Sequence, residues 1–412
     1  MEPKTNKLKR VLLIVSFLVI LILAIIAGYY FFFLKKAPAG SGGETGFPSF
    51  PSEKLPPLQD DDEIPLSSGA GGEVLPRLRQ ISSVPTAGGT IFSRAGITAI
   101  RYLERGTGNV YEAMATSSGK TRITNTTIPK VYEAVWTANP DEVLLRYLDE
   151  AEIIQTFIGK VSKKAPVQSP NASPSALAGS YLQNNISELA VSPKKDKIFY
   201  LTASGSGARG IIANPDGAKR VEIFSNPLRG WLASWPGLNT VALNTKPSAG
   251  EPGHIYFLNT ASGALSKVIG GIAGLTTLVR PDTEALIYSA SSDNSVSLSA
   301  FEMKNRVNRP FNFRTFPEKC LWSGLEKTIV YCGVPASLPA ASYPDAWYQG
   351  LVSFRDEIWK IDTASGTGEV IVKSADSDNP GFDVTNLALD PKENYLIFIN
   401  KNDLTLWALR IK

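Results

Sequence analysis

Three regimes of hydrophobic patterning divide the chain. Val11 to Leu34 reads VLLIVSFLVILILAIIAGYYFFFL, 24 residues without a charge. A helix of that length rises about 36 Å, enough to cross the ~30 Å hydrocarbon layer, and Tyr29 and Tyr30 stand near one end, where amphipathic rings favour the headgroup zone. Residues 35–76 then carry seven prolines, many glycines and the acidic run Asp60-Asp61-Asp62-Glu63. Such a stretch buries too little apolar surface to offset ordering entropy, and its prolines favour extended conformers, so a spacer is expected there. From residue 77 onward the pattern changes to short runs of Val, Ile, Tyr, Phe and Thr between Gly, Pro, Asn and Asp turns, with no long helical period. That pattern predicts an all-β body over 77–412.

One hairpin recurs through the body: a short apolar strand, a Pro-containing turn, and a second apolar strand. It reads VWTANPDEVLLRY (135–147), LAVSPKKDKIFYL (189–201), LASWPGLNTVAL (232–243), TLVRPDTEALIYS (277–289) and LALDPKENYLIFI (387–399). CLWSGLEKTIVYC (320–332) keeps the shape with Gly324 in place of proline. Proline suits the second position of such a turn because its ring presets φ. A second hairpin follows in IYFLNTASGALSKVI (255–269), IWKIDTASGTGEVIV (358–372) and VYEAMATSSGKTRIT (110–124), with Gly263 and Gly366 placed where the chain reversal needs positive φ. Four strands repeating every ~40–50 residues are the signature of propeller blades.

These hairpins resemble the TolB-like propeller repeat, related to WD-repeat propellers, in SPKKDKIFY, RPDTEALIY and DPKENYLIF together with IYFLNTASG and IWKIDTASG. The resemblance covers nearly all of 98–412 and implies a β-propeller; counting the hairpins gives about seven four-stranded blades, with six or eight as the alternatives, and the apolar run 11–34 adds one N-terminal transmembrane helix. The last unit, 384–412, supplies only three strands, so a strand near Arg77 to Ser83 is expected to complete it and close the ring. The Ser/Ala/Pro-rich insertion at 162–180 departs from the repeat.

Charge settles the orientation of the apolar segment. Residues 1–36 carry six Lys or Arg and one acid, four of the basic residues preceding the segment and two following it. By the positive-inside rule residues 1–10 are expected in the cytoplasm and the propeller outside the inner membrane of a bacterial cell, with Lys35 and Lys36 opposing this orientation, and the length of 11–34 makes an uncleaved signal anchor the expectation. The rival, a cleaved secretory signal, has a shorter apolar core and a small-residue cleavage site. The remainder of the chain is nearly neutral, which offers no basic stripe for nucleic acid.

One His, two Cys and three Met leave little material for imidazole-based catalysis or a metal centre. GKT at 119–121 lacks the upstream glycine of a phosphate loop, Met114 standing there, and no GxSxG elbow occurs. Asp376-Ser377-Asp378-Asn379-Pro380-Gly381 begins like a calcium loop but has Pro380 at position five and Leu387 at position twelve. His254, alone at a loop-strand junction, is given no role. No catalytic residue, cofactor or metal is expected, and the chain reads as a binding or scaffolding module of the cell envelope with a protein partner rather than an enzyme. The alternative is a propeller hydrolase acting on glycan or peptide through carboxylates on the central face.

Two groups of residues stand out. Cys320 and Cys332 bracket one hairpin symmetrically, so an antiparallel register sets them opposite each other, as a disulfide within blade six or as two buried thiols. VPASLPAASYPDAWYQG (334–350) is the longest connection between second and third strands, and Tyr343, Trp347 and Tyr348 within it are expected either to contact a partner or to fold back on the rim.

Overall fold

The computed structural model describes residues 75–161, 175–373 and 381–412. They form seven four-stranded antiparallel sheets, each ordered as its strands follow in sequence except the last. Blades 1 to 6 span residues 86–122, 131–181, 186–226, 231–273, 276–310 and 320–372. Blade 7 takes Val384–Leu389, Tyr395–Asn400 and Leu406–Arg410 from the C-terminal end and Leu78–Ser82 as its outermost strand. Leu78 pairs with Leu409 and Arg79 with Ala408, so the first strand of the body closes the ring onto the last blade. A closed ring leaves no inner sheet edge free to pair with another chain.

The seven-bladed all-β propeller is the fold the hairpins implied. Five of the six Pro or Gly marks fall in the reversal between the first and second strands of their blades, Pro236 instead standing at the end of the first strand of blade 4, and the TASG turns join the third and fourth strands of blades 4 and 6. In those turns Asn259 Oδ1 accepts the Ala261 and Ser262 N–H groups, Asp362 Oδ1 accepts that of Ala364, and Gly263 and Gly366 adopt φ of 69° and 75°. The side-chain oxygen satisfies the turn's first donors and glycine takes the left-handed position.

The core lies between blades. Leu103 and Val110 of blade 1 pack on Val131, Val143 and Leu145 of blade 2, and similar clusters follow around the ring. First strands of neighbouring blades also touch, 86–94 with 131–136, 186–191 with 231–237, and 86–94 with 384–389, which makes them the inner ring about the axis. At Gly88 a Cβ would stand 2.1 Å from the Ala134 carbonyl oxygen, so only glycine permits this approach of blades 1 and 2.

The tail, the apolar segment and the spacer up to residue 74 lie outside the described residues, as do residues 162–174 of the insertion and Asp376 to Pro380 of the calcium-like run. Among the described residues no helix is long and apolar enough to cross a membrane, and no three His, Cys, Asp or Glu side chains are grouped to hold a metal ion.

Candidate binding face

One face of the ring carries the connections between blades and the hairpins between second and third strands. The longest of these hairpins, residues 336–355 of blade 6, runs as a strap toward its neighbours. Asp345 Oδ2 accepts the Ala249 N–H of blade 4 at 2.6 Å, Ala341 donates its N–H to the Asn294 carbonyl of blade 5 at 3.0 Å, and Lys401 Nζ of blade 7 donates to the Trp347 carbonyl at 2.9 Å. Four consecutive blades are thereby joined on one side of the mouth.

The aromatic residues of the strap point inward. Tyr343 and Trp347 are buried, Trp347 stacking on Phe316 with centroids 5.1 Å apart and Phe354 lying beyond at 6.1 Å. The Tyr343 hydroxyl donates to the Pro339 carbonyl at 2.5 Å. Tyr348 keeps 38% of its surface exposed, but its hydroxyl is spent on Glu318, whose other carboxylate oxygen is buried without a partner. Burial pushes the Glu318 carboxyl and the Tyr348 phenol up from their ordinary values. Of the two readings of this loop, the rings fold back on the rim. Burying such rings stabilises by roughly 2–3 kcal/mol each, a gain the free loop would forgo.

Beneath the strap, the fully buried Lys319 ammonium lies 2.6 Å from Asp356 Oδ2 and is also paired with Asp383. Trp347 Nε1–H donates to Asp383 Oδ2 at 2.9 Å, the Val384 N–H donates to Asp356 Oδ2 at 2.6 Å, and Lys319 Nζ stands 5.1 Å from the ring centroids of both Trp347 and Phe354. Burial pushes the Asp356 carboxyl up to about 6 against the pull of Lys319. A buried ion is tolerable only where its partners and hydrogen bonds are in place, and this set fixes the blade 6 to blade 7 joint.

The other half of the mouth holds a second cation between carboxylates. Glu133 and Glu188 occupy the third position of the inner strands Val131–Trp136 and Ile186–Val191. Arg146, near the end of the neighbouring strand in blade 2, donates to Glu133 Oε2 at 2.6 Å and to the Ile186 and Ser187 carbonyls at 2.7 and 2.8 Å. The guanidinium is buried, yet the Glu133 side chain stays 36% exposed and Glu188 is half-buried. Burial pushes Glu188 up to about 7, with the Glu133 charge adding to the shift and Arg146 opposing it. A carboxyl raised toward neutrality beside a second one paired with Arg146 can accept, donate or bind a polar group at the channel mouth.

The remaining candidates are structural. Cys320 and Cys332 stand opposite in the first two strands of blade 6 and are bonded, sulfur to sulfur, at 2.08 Å. His254 Nδ1 accepts the Gly271 N–H at 3.2 Å within the outer strand pair of blade 4. Lys120 to Arg122 form the outer strand of blade 1, so GKT is hairpin. The Glu133, Arg146 and Glu188 cluster escaped the sequence reading, although a carboxylate at the same position of two successive inner strands was a visible signal.

No protein-family model matches the chain, and no curated protein does. Solved structures do. An oligogalacturonate lyase from Vibrio parahaemolyticus superposes with a TM-score of 0.52 at 8% identity, over 81% of this chain and 93% of its own. The β-propeller domain of the Trilobed protease from Pyrococcus furiosus gives a TM-score of 0.50 at 10% identity, over 79% and 95%. TolB from Acinetobacter baumannii gives 0.42 at 9% identity, over 78% of each chain. The Pyrococcus domain is described as having an open velcro topology, whereas the strand Leu78–Ser82 closes the ring here. The first two likenesses show the fold. They also correct the expectation that the chain is not an enzyme: an oligogalacturonate lyase shares this fold, so the fold gives no ground for setting an enzyme aside.

Proposed function

We propose that the chain is a membrane-tethered propeller of the cell envelope that engages a partner at the open half of its mouth, with Glu133 and Glu188 as the contacting groups and Arg146 as their positioning residue. The observation that carries this reading is the half-buried Glu133–Arg146–Glu188 cluster on inner strands, on the side where the strap makes none of its bonds among the described residues. A rigid ring presents such groups without reorganisation, and a partially desolvated charge cluster gives specificity to hydrogen-bond donors such as amines and hydroxyls. The apolar segment 11–34 and the proline-rich spacer support the tether, and the basic residues before the segment support an outward-facing ring.

A second reading is favoured by the raised Glu188 carboxyl beside an exposed Glu133. Such a pair supplies a general acid and a general base for cleavage of a glycan or peptide laid across the mouth. The experiment that separates them is pull-down from envelope extract with the full chain and its Glu133→Gln/Glu188→Gln variant, run beside a release assay on mixed glycans and peptides. Loss of partner recovery without product in the wild type supports binding. Product formed by the wild type and abolished in Glu188→Gln supports cleavage, and recovery unchanged by both substitutions overturns the site.

A further inference from the structure

The closing strand brings a second set of charges together at the outer edge of the ring. Arg79 lies in that strand, Leu78–Ser82, and Arg77 stands immediately before it. Arg410 of the neighbouring strand lies opposite Arg77, donating its backbone N–H to the Arg77 carbonyl at 2.8 Å, and Tyr395 lies opposite Arg410 in turn. The three arginines, Tyr395 and Thr116 of blade 1 line one cavity of about 220 Å³ that contains no acidic residue.

Like charges set opposite each other on paired strands destabilise the pair. Elsewhere in the ring Arg94 and Arg101 are neutralised by Glu112 and Asp141, Arg146 by Glu133 and Arg280 by Asp282. Arg77, Arg79 and Arg410 form no ion pair with any described residue. Arg77 donates to the Arg410 and Ile371 carbonyls at 3.0 and 3.2 Å and Arg79 to the Met114 carbonyl at 2.5 Å, bonds that orient the forks but leave their charge uncompensated. Burial lowers the Arg79 pKa, as expected for a cation short of a counter-charge. Arg79 is half-buried while Arg77 and Arg410 are exposed, so the three forks are open to an anion from solvent.

We propose that Arg77, Arg79 and Arg410 form an oxyanion site between blade 7 and blade 1 that takes a phosphate group, with the Thr116 and Tyr395 hydroxyls as additional donors. Planar guanidinium forks match phosphate oxygens two at a time, and three of them suit a dianion better than a single carboxylate. The site is independent of the channel mouth and of what binds there.

The test uses the full chain in detergent, inorganic phosphate as probe, and chloride at equal ionic strength as control, followed by calorimetry and thermal unfolding. Phosphate is expected to bind and to raise the unfolding midpoint where chloride does not. Arg410→Gln, whose side chain makes no hydrogen bond in the described structure, should weaken phosphate about tenfold or more without shifting the midpoint in its absence. Arg79→Gln/Arg410→Gln should abolish binding, and Arg314→Gln on another surface should leave it unchanged. Vesicles of phosphatidylcholine with and without phosphatidic acid identify the source. Retention on phosphatidic acid that phosphate competes away marks a lipid headgroup, phosphate binding without retention marks a free phosphate, and either supports the site. Absence of phosphate-specific stabilisation, or equal affinity in Arg410→Gln and wild type, overturns it. So does binding that emerges only when Asp60, Asp61, Asp62 and Glu63 are changed to their amides, since the chain's own acidic run would then be the occupant.

Discussion

The two halves of the mouth solve the same electrostatic problem with opposite outcomes. On the strap side Lys319 lies between Asp356 and Asp383 with all three side chains removed from solvent. On the open side Arg146 lies beside Glu133 and near Glu188, with its own charge buried and a carboxylate still in water. In the first, the ions are enclosed by Trp347 and Phe354 and serve to join two blades. In the second, the Glu133 side chain stays 36% exposed among the described residues, which leaves the same chemistry open to a ligand. A cation flanked by carboxylates is thus structural or functional according to what packs over it.

Removing the central cations breaks the comparison most sharply. Lys319→Met leaves Asp356 and Asp383 buried without a counter-charge and is expected to cost about 3–5 kcal/mol, read as a large fall in the denaturant midpoint. Arg146→Met, whose partner Glu133 reaches solvent, should cost clearly less, and equal losses would erase the distinction. Trp347→Ala removes the lid over Lys319 and should cost about 3 kcal/mol through the cavity it leaves. Tyr348→Ala, at the half-exposed end of the strap, should cost less than either. The Cys320–Cys332 link closes a short loop, so the double variant Cys320→Ser/Cys332→Ser should lose about 2–3 kcal/mol, checked by thermal unfolding under non-reducing conditions.

The smallest effect is the pH signature of the open side. Glu188 holds its proton more tightly in the folded chain, at about 7 against an ordinary 4.5, so the native state binds more protons than the unfolded one between those values. Stability contributed by this group is present below pH 4.5 and declines as pH rises through 7. Glu188→Gln should flatten that decline, raising stability at pH 8 relative to wild type while leaving pH 4 unchanged. A variant as pH-sensitive as the wild type over that range would assign the titration elsewhere.

How much of this was legible in the chain follows from the range of each interaction. Pro140, Pro193, Pro281 and Pro391 act locally, each in one turn, and Pro236 stands at the end of its strand just before one, so their spacing exposed the blades. The missing fourth strand near Arg77 was readable because a three-stranded last unit leaves an open edge. The fate of Tyr343 and Trp347 was not, since it depends on Phe316, Lys319 and Asp383, which the ring brings together from two joints between blades. The mouth cluster draws on three strands, and the arginines of the closing strand acquire their third member only when 410 returns beside 77.

Site-specific photo-crosslinking in intact cells tests the central claim most directly. A photoreactive amino acid is placed at position 133 on the open side or at position 351 on the strap, where Leu351 is 74% exposed. A cross-linked partner from position 133, with none from position 351, is the predicted result; cross-linking from 351 alone would contradict it and return the binding surface to the strap.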